Sequence, residues 1–104
     1  MGFSAVDSMA PRAVNVAVDD RWLTVDLADG RTLRVPLEWY PRLCHGTPQE
    51  RANWRLIGGG EGIHWDALDE DISISGLLAG KPSAESRASL ERWLANRSST
   101  EEPG

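Results

Sequence analysis

Cysteine occurs once in these 104 residues, at Cys44, so an internal disulfide is excluded and no oxidising compartment is required. No stretch of about eighteen apolar residues exists, so a membrane-spanning helix is not expected. The opening M-G-F-S-A-V-D-S-M-A has neither a basic start nor a long apolar core, and Val6 stands where a myristoylation signal needs Ser or Thr. The cytoplasm is therefore the expected location. Paired cysteines and paired histidines at metal-ligand spacing are also missing. One Cys with His45 and His64 does not make a zinc set, and neighbouring Cys44 and His45 would point apart in extended chain. Cys44 reads as a buried or half-buried thiol, and no cofactor or metal is expected.

Basic charge is missing from one segment. Eleven Lys and Arg oppose sixteen Asp and Glu, for a net charge of -5. Residues 1–57 balance, as do residues 81–104. The stretch 58–80 carries Glu61, Asp66, Asp69, Glu70 and Asp71 with no base, so the whole excess resides there. An acidic chain without a basic stripe disfavours direct nucleic-acid binding, despite Arg51 and Arg55 flanking Trp54. The acidic run lacks the spacing and central glycine of a calcium loop. It is either a solvated turn or a docking patch for a basic partner.

What is present suits one domain of α+β class: an antiparallel sheet of about five strands, short helices and a C-terminal helix. Residues 1–13 read as a loose arm. Val14, Val16 and Val18 alternate with small or polar residues, the period of a half-buried strand. W-L-T-V-D-L over 22–27 is a second strand, and Asp29-Gly30 signals a tight hairpin into Thr32–Val35, ended by Pro36. Leu37–Leu43 reads as a helical turn broken at Pro41. Thr47-Pro48-Gln49-Glu50 has the form of a capping box and predicts a short helix ending near Asn53.

Trp54–Ile57 and Ile63–Trp65 are expected strands on either side of Gly58–Gly60. Asp71–Ser75 follows as a last strand with Ile72 and Ile74 inward, then a turn over Gly76–Gly80. Ser83 is placed to cap a helix from Ala84 to about Arg97, with Leu90, Trp93 and Leu94 as its apolar stripe and Ala88 nearby. Residues 98–104 read as a disordered tail.

The glycine run Gly58-Gly59-Gly60-Glu61-Gly62 does not have the spacing of a phosphate loop, and Glu61 would repel phosphate. A wide turn needing positive φ accounts for it. His64 beside Asp66 has the ingredients of a general base, but no nucleophile or substrate site accompanies it. Five tryptophans are many for this length. Those not needed in the core would mark an interface.

Two segments carry a resemblance: V-D-D-R-W-L-T-V-D-L-A-D-G-R-T-L-R-V-P-L-E-W-Y-P-R-L, and N-W-R-L-I-G-G-G-E-G-I-H-W followed by L-D-E-D-I-S. Over about residues 14–82 the chain resembles a small bacterial family known as domain of unknown function 2442. The resemblance implies a compact α+β domain, mainly antiparallel sheet. It also implies a chain encoded alone, beside another small protein, or fused to a helix-turn-helix segment, and hence a regulatory or antitoxin-like interaction module. No catalytic residue comes with it. Beyond residue 82 the chain offers one helix where a helix-turn-helix needs two.

The leading expectation is a non-enzymatic protein-interaction module, with Trp54, Glu61, His64, Trp65, Asp66, Asp69, Glu70 and Asp71 as partner-binding residues. Two alternatives stay open: a small-ligand or enzymatic site at the Gly58–Trp65 turn, and a structural homodimer subunit.

Overall fold

A computed structural model describes residues 10–101 of the chain, with side chains to residue 97. Three strands open it as a meander: β1 (Ala13–Val18), β2 (Trp22–Leu27) and β3 (Thr32–Pro36), in the order β1-β2-β3 and antiparallel throughout. The β2–β3 reversal falls at Asp29-Gly30 as expected, but of the two only Gly30, at φ +96, takes the left-handed conformation. The turn is therefore not the type I′ form, which needs positive φ at both residues. Gly30 N–H donates to Leu27 O (3.0 Å) and Leu27 N–H to Arg31 O (2.8 Å). β1 departs from simple alternation. Ala13 pairs Leu27 and Asn15 pairs Asp26, leaving Val14 as the extra residue of a bulge. The bulge turns Val14 out to 58% exposure and Ala13 into the core, so the expected Val14–Val16–Val18 face is broken at its first residue. The expected arm over residues 1–13 lies outside the described residues as far as residue 9, and Ala13 already belongs to the sheet.

After a single 3-10 turn at Leu37–Trp39 come α1 (Pro41–Cys44) and α2 (Pro48–Ala52). α2 begins as the sequence predicts. Thr47 Oγ1 accepts from the Glu50 amide (3.1 Å) and Glu50 Oε1 accepts from the Thr47 amide (2.9 Å), a reciprocal capping box.

The second sheet is β4 (Trp54–Ile57), β5 (Gly62–Trp65) and β6 (Glu70–Ser73), antiparallel in sequence order. The sheet expected to hold about five strands is thus six strands in two sheets. Gly58, Gly59 and Gly60, all at positive φ, reverse the chain completely, so the strands on either side pair with each other. The two sheets meet at this turn: a Cβ on Gly60 would lie 2.6 Å from the Ala13 carbonyl oxygen.

The last expected strand is half helix. Ser73 Oγ accepts from the Gly76 amide (2.9 Å) and caps α3 (Ile74–Leu78). Lys81 N–H donates to Gly76 O and Gly80 N–H to Leu77 O, both 3.0 Å, with Gly80 at φ +73. That is a Schellman ending. Ile74 still points inward, but with Leu77 on a helix face rather than with Ile72 on a strand face. The C-terminal helix α4 (Arg87–Glu101) starts three residues later than Ala84, because Ser86 Oγ, accepting from the Ser89 amide, caps it. It continues to Glu101, through four of the residues read as a tail. The remainder of that tail lies outside the described residues.

One core spans both sheets. Leu23, Val25, Ile63, Trp65, Leu68 and Ile74 are essentially without exposure. At roughly 25 cal/mol per Å² of apolar surface removed from water, side chains of this size each contribute about 1.5–3 kcal/mol. Leu90, Trp93 and Leu94 of α4 are half-buried as expected, whereas Ala88 is exposed.

Candidate functional site

Strand register decides which of the expected residues can act together. β4, β5 and β6 place Arg55, His64 and Asp71 opposite one another, with Trp54, Trp65 and Glu70 as the next row. Successive residues of a strand face opposite sides. The Arg55 row therefore points outward, and the Trp54 row points toward the core with Leu56, Ile63 and Ile72.

The outward row is an ion-pair ladder. Arg55 donates to both oxygens of Asp66 (3.2 and 3.3 Å), and His64 Nε2 lies 2.8 Å from Asp66 Oδ1. His64 Nδ1 contacts Asp71 Oδ1. The bond to Asp71 first, and the charges of Asp71 and Asp66 next, hold the imidazole above its ordinary range, with Arg55 opposing. Arg55 in turn holds Asp66 below the usual carboxylate range.

Between β5 and β6 the chain turns through Asp66–Asp69. Leu68 is buried without exposure under the turn, packed on Gly46, where a Cβ would come within 2.9 Å of its methyl groups. Asp69 sits at φ +51, a conformation that Asp tolerates better than most residues. Arg42, from α1, clamps the turn from behind: Nη1 donates to the carbonyls of Leu68 (3.4 Å) and Asp69 (3.1 Å). The carboxylates of Asp66, Asp69 and Asp71 remain 60%, 85% and 69% exposed. The segment is acid-only in sequence but not in space, since Arg42 and Arg55 arrive from elsewhere.

Glu70 leaves this cluster. It lies on the inner face of β6, an edge strand, where an inward carboxylate also discourages strand addition. Burial, reinforced by Glu85, Asp71 and Asp69 and opposed by Arg42, pushes its carboxyl up to about 7. With Tyr40, whose phenol is pushed to about 12 by burial and by Glu70, it lines a cleft of about 270 Å³ beside Ser73 and Lys81.

The other expected site residues separate as well. Trp65 is fully buried, its indole N–H donating to Arg51 O (3.0 Å), and so lies in the core beneath the ladder rather than at the surface. Trp54 is half-buried beside it. Glu61 is exposed at the glycine turn, at the opposite end of β5 from Asp66. Cys44 is exposed, not buried, and partial desolvation raises its thiol. Among the described residues no three His, Cys, Asp or Glu side chains gather as metal ligands.

Sequence reasoning missed Arg42. It donates to both oxygens of Glu85 through Nε and Nη2, stacks over Trp93 at 5.0 Å and holds the turn. No local pattern marks it, because its partners, from Leu68 to Trp93, are all distant along the chain.

A family model described as a protein of unknown function, DUF2442, matches residues 13–83. The chain is similar to a crystal structure of a protein of unknown function from Rhodospirillum rubrum, at 30% identity and TM-score 0.64, covering 77% of this chain and 96% of that one. It is also similar to the solution structure of an uncharacterized protein from Chromobacterium violaceum, at 22% identity and TM-score 0.61, covering 83% and 75% of the two chains. The latter likeness is one of fold alone. No curated protein matches.

Proposed function

The chain belongs to the DUF2442 family of proteins of unknown function, and from the geometry of its second sheet we propose that it is a non-enzymatic interaction module that docks a basic partner protein. One observation carries this proposal. The Asp66–Asp71 segment holds three exposed carboxylates on a turn fixed by Leu68 below, Arg42 behind and the Arg55–His64 ladder beside it. Charge presented on a preorganised element steers and orients a partner of opposite charge at small entropic cost. An antitoxin-like role, restraining a small basic neighbour in the cytoplasm, is the form of this activity that fits the family setting. No helix among the described residues is long and apolar enough to cross a membrane.

Both ring nitrogens of His64 already face carboxylates of its own turn, Asp66 and Asp71, so the geometry favours a role in holding that turn over an enzymatic site at the Gly58–Trp65 turn. A homodimer draws on a different feature, the outer edge of β3, and stands as an outcome of the same experiment.

The experiment is a pull-down of the tagged chain from its native host at low and moderate salt, then titration of the purified chain with the small basic protein recovered, at several salt concentrations. Asp66, Asp69 and Asp71 are changed together to Asn, which Asp69's backbone tolerates. The expected result is affinity lost on the order of tenfold or more, with a flatter salt dependence. Unchanged affinity and salt dependence would sink the acidic docking element. A discrete oligomer of the chain alone in light scattering would favour the homodimer.

A further inference from the structure

His64 is engaged at both ring nitrogens by carboxylate oxygens, Asp66 Oδ1 at Nε2 (2.8 Å) and Asp71 Oδ1 at Nδ1. An ionised carboxylate only accepts. A neutral imidazole has one N–H and one lone pair, so it satisfies one of these carboxylates and sets its lone pair against the other. Only the imidazolium donates to both. From this geometry we infer that His64 is a proton-operated clasp on the acidic turn. Protonated, it ties Asp66 to Asp71 across the base of the turn; deprotonated, it releases one of them.

The placement gives the clasp leverage. Asp66 directly follows β5 and Asp71 lies on β6, so the tie closes a loop containing Ala67, Leu68, Asp69 and Glu70. The backbone bond inside that loop, Asp69 N–H to Asp66 O, is long at 3.3 Å. Arg42 secures the far side of the turn but does not reach Asp66 or Asp71. The charged groups acting on the ring are Asp71 from β6, Asp66 from the turn and Arg55 from β4. The two carboxylates outweigh the guanidinium, so the clasp is closed on the acid side. It opens as pH rises through a value above the ordinary histidine range. Opening adds one net negative charge to the exposed face and frees the turn. The clasp acts on the element assigned above to docking. Its test uses the chain alone, so failure of either idea leaves the other standing.

The test is a pH titration of the ¹⁵N-labelled chain, reading the His64 ring nitrogens and the amides of residues 66–71. It is done in a Glu70→Gln background to remove the neighbouring carboxyl that titrates near neutrality. The expected result is two protonated ring nitrogens at the acid end and a midpoint above about 6.5, the value of an unstructured histidine. The turn amides should shift with that same midpoint. Asp71→Asn and Asp66→Asn should each lower it, Asp71→Asn the more, and His64→Gln should abolish the coupled shift while the core resonances stay in place. A midpoint at or below the unstructured value, a single ring proton throughout, or turn amides that ignore the ring's titration would overturn the clasp.

Discussion

Arg42 on α1 and Glu85 ahead of α4 form a two-oxygen ion pair across 43 residues of chain, Nη2 to Oε2 at 2.6 Å, with 15% and 9% of their side chains exposed. This pair fastens the C-terminal helix to the body. Arg42 and Arg97 also flank the Trp93 ring at 5.0 and 4.8 Å, and Arg97 pairs with Glu50 at 2.9 Å. The same Arg42 that anchors α4 also clamps the acidic turn, so the two are mechanically joined.

Arg42→Ala is therefore expected to loosen both. Removing one member of a largely buried pair leaves the other uncompensated, at a cost of about 2–4 kcal/mol. Hydrogen exchange should rise in α4 and in residues 66–69 together, and Trp93 emission should shift to the red. Arg42→Lys should recover less than half of the loss, since an ammonium cannot fork to two oxygens and stack. Loosening of α4 with an unaltered turn would separate the two roles.

Gly60→Ala tests the joint between the sheets. The new Cβ would meet Ala13 O at 2.6 Å, and φ at Gly60 is +99. Backbone cannot yield as a flexible side chain can, so a loss of about 2–4 kcal/mol is expected in denaturant unfolding. Gly59→Ala, also at positive φ but facing open space, should cost only about 1 kcal/mol.

Glu70 gives the fold a pH dependence of defined sign. Its folded value, about 7, exceeds the ordinary carboxylate value, so the folded state binds the proton more tightly. The contribution of Glu70 to stability is then greatest below about pH 4.3, declines as pH rises to about 7, and is level beyond. Glu70→Gln removes the decline. Thermal unfolding should show a gain of about 1 kcal/mol at pH 8, discounted because the carboxyl is partly solvated, and little gain at pH 4.5. An equal gain at both would assign the effect to packing.

His64 contributes with the same sign through a different group. Its raised value means that its stabilisation is present in full below the unfolded value of about 6.5 and is lost as pH rises through the folded value. In a Glu70→Gln background, His64→Gln should flatten what remains of the stability profile above pH 6. A profile that still falls there would place the remaining proton elsewhere.

Local chemistry alone determined much of this protein. Asp29-Gly30 demanded a reversal that few other pairs adopt, Thr47 and Glu50 could satisfy each other within one turn, and alternation in 22–27 left one face for the core. These features depend on residues close in sequence, so they were legible there. Where two local patterns overlapped, the pattern was ambiguous. Ile72 and Ile74 fit a strand, Ile74 and Leu77 fit a helix, and Ser73 as a cap with Gly80 as an ending decided it.

Tertiary structure decided the rest. A one-residue bulge turned Val14 outward, visible only against the partner strand β2. Strand register drew His64, Asp71 and Arg55 into one row and sent neighbouring Glu70 to the other face, although the sequence shows Asp69, Glu70 and Asp71 as one cluster. The charge that balances the acidic segment comes from Arg42 and Arg55, distant along the chain and adjacent in space. Coulomb attraction depends on separation in space, and only the folded chain sets those distances.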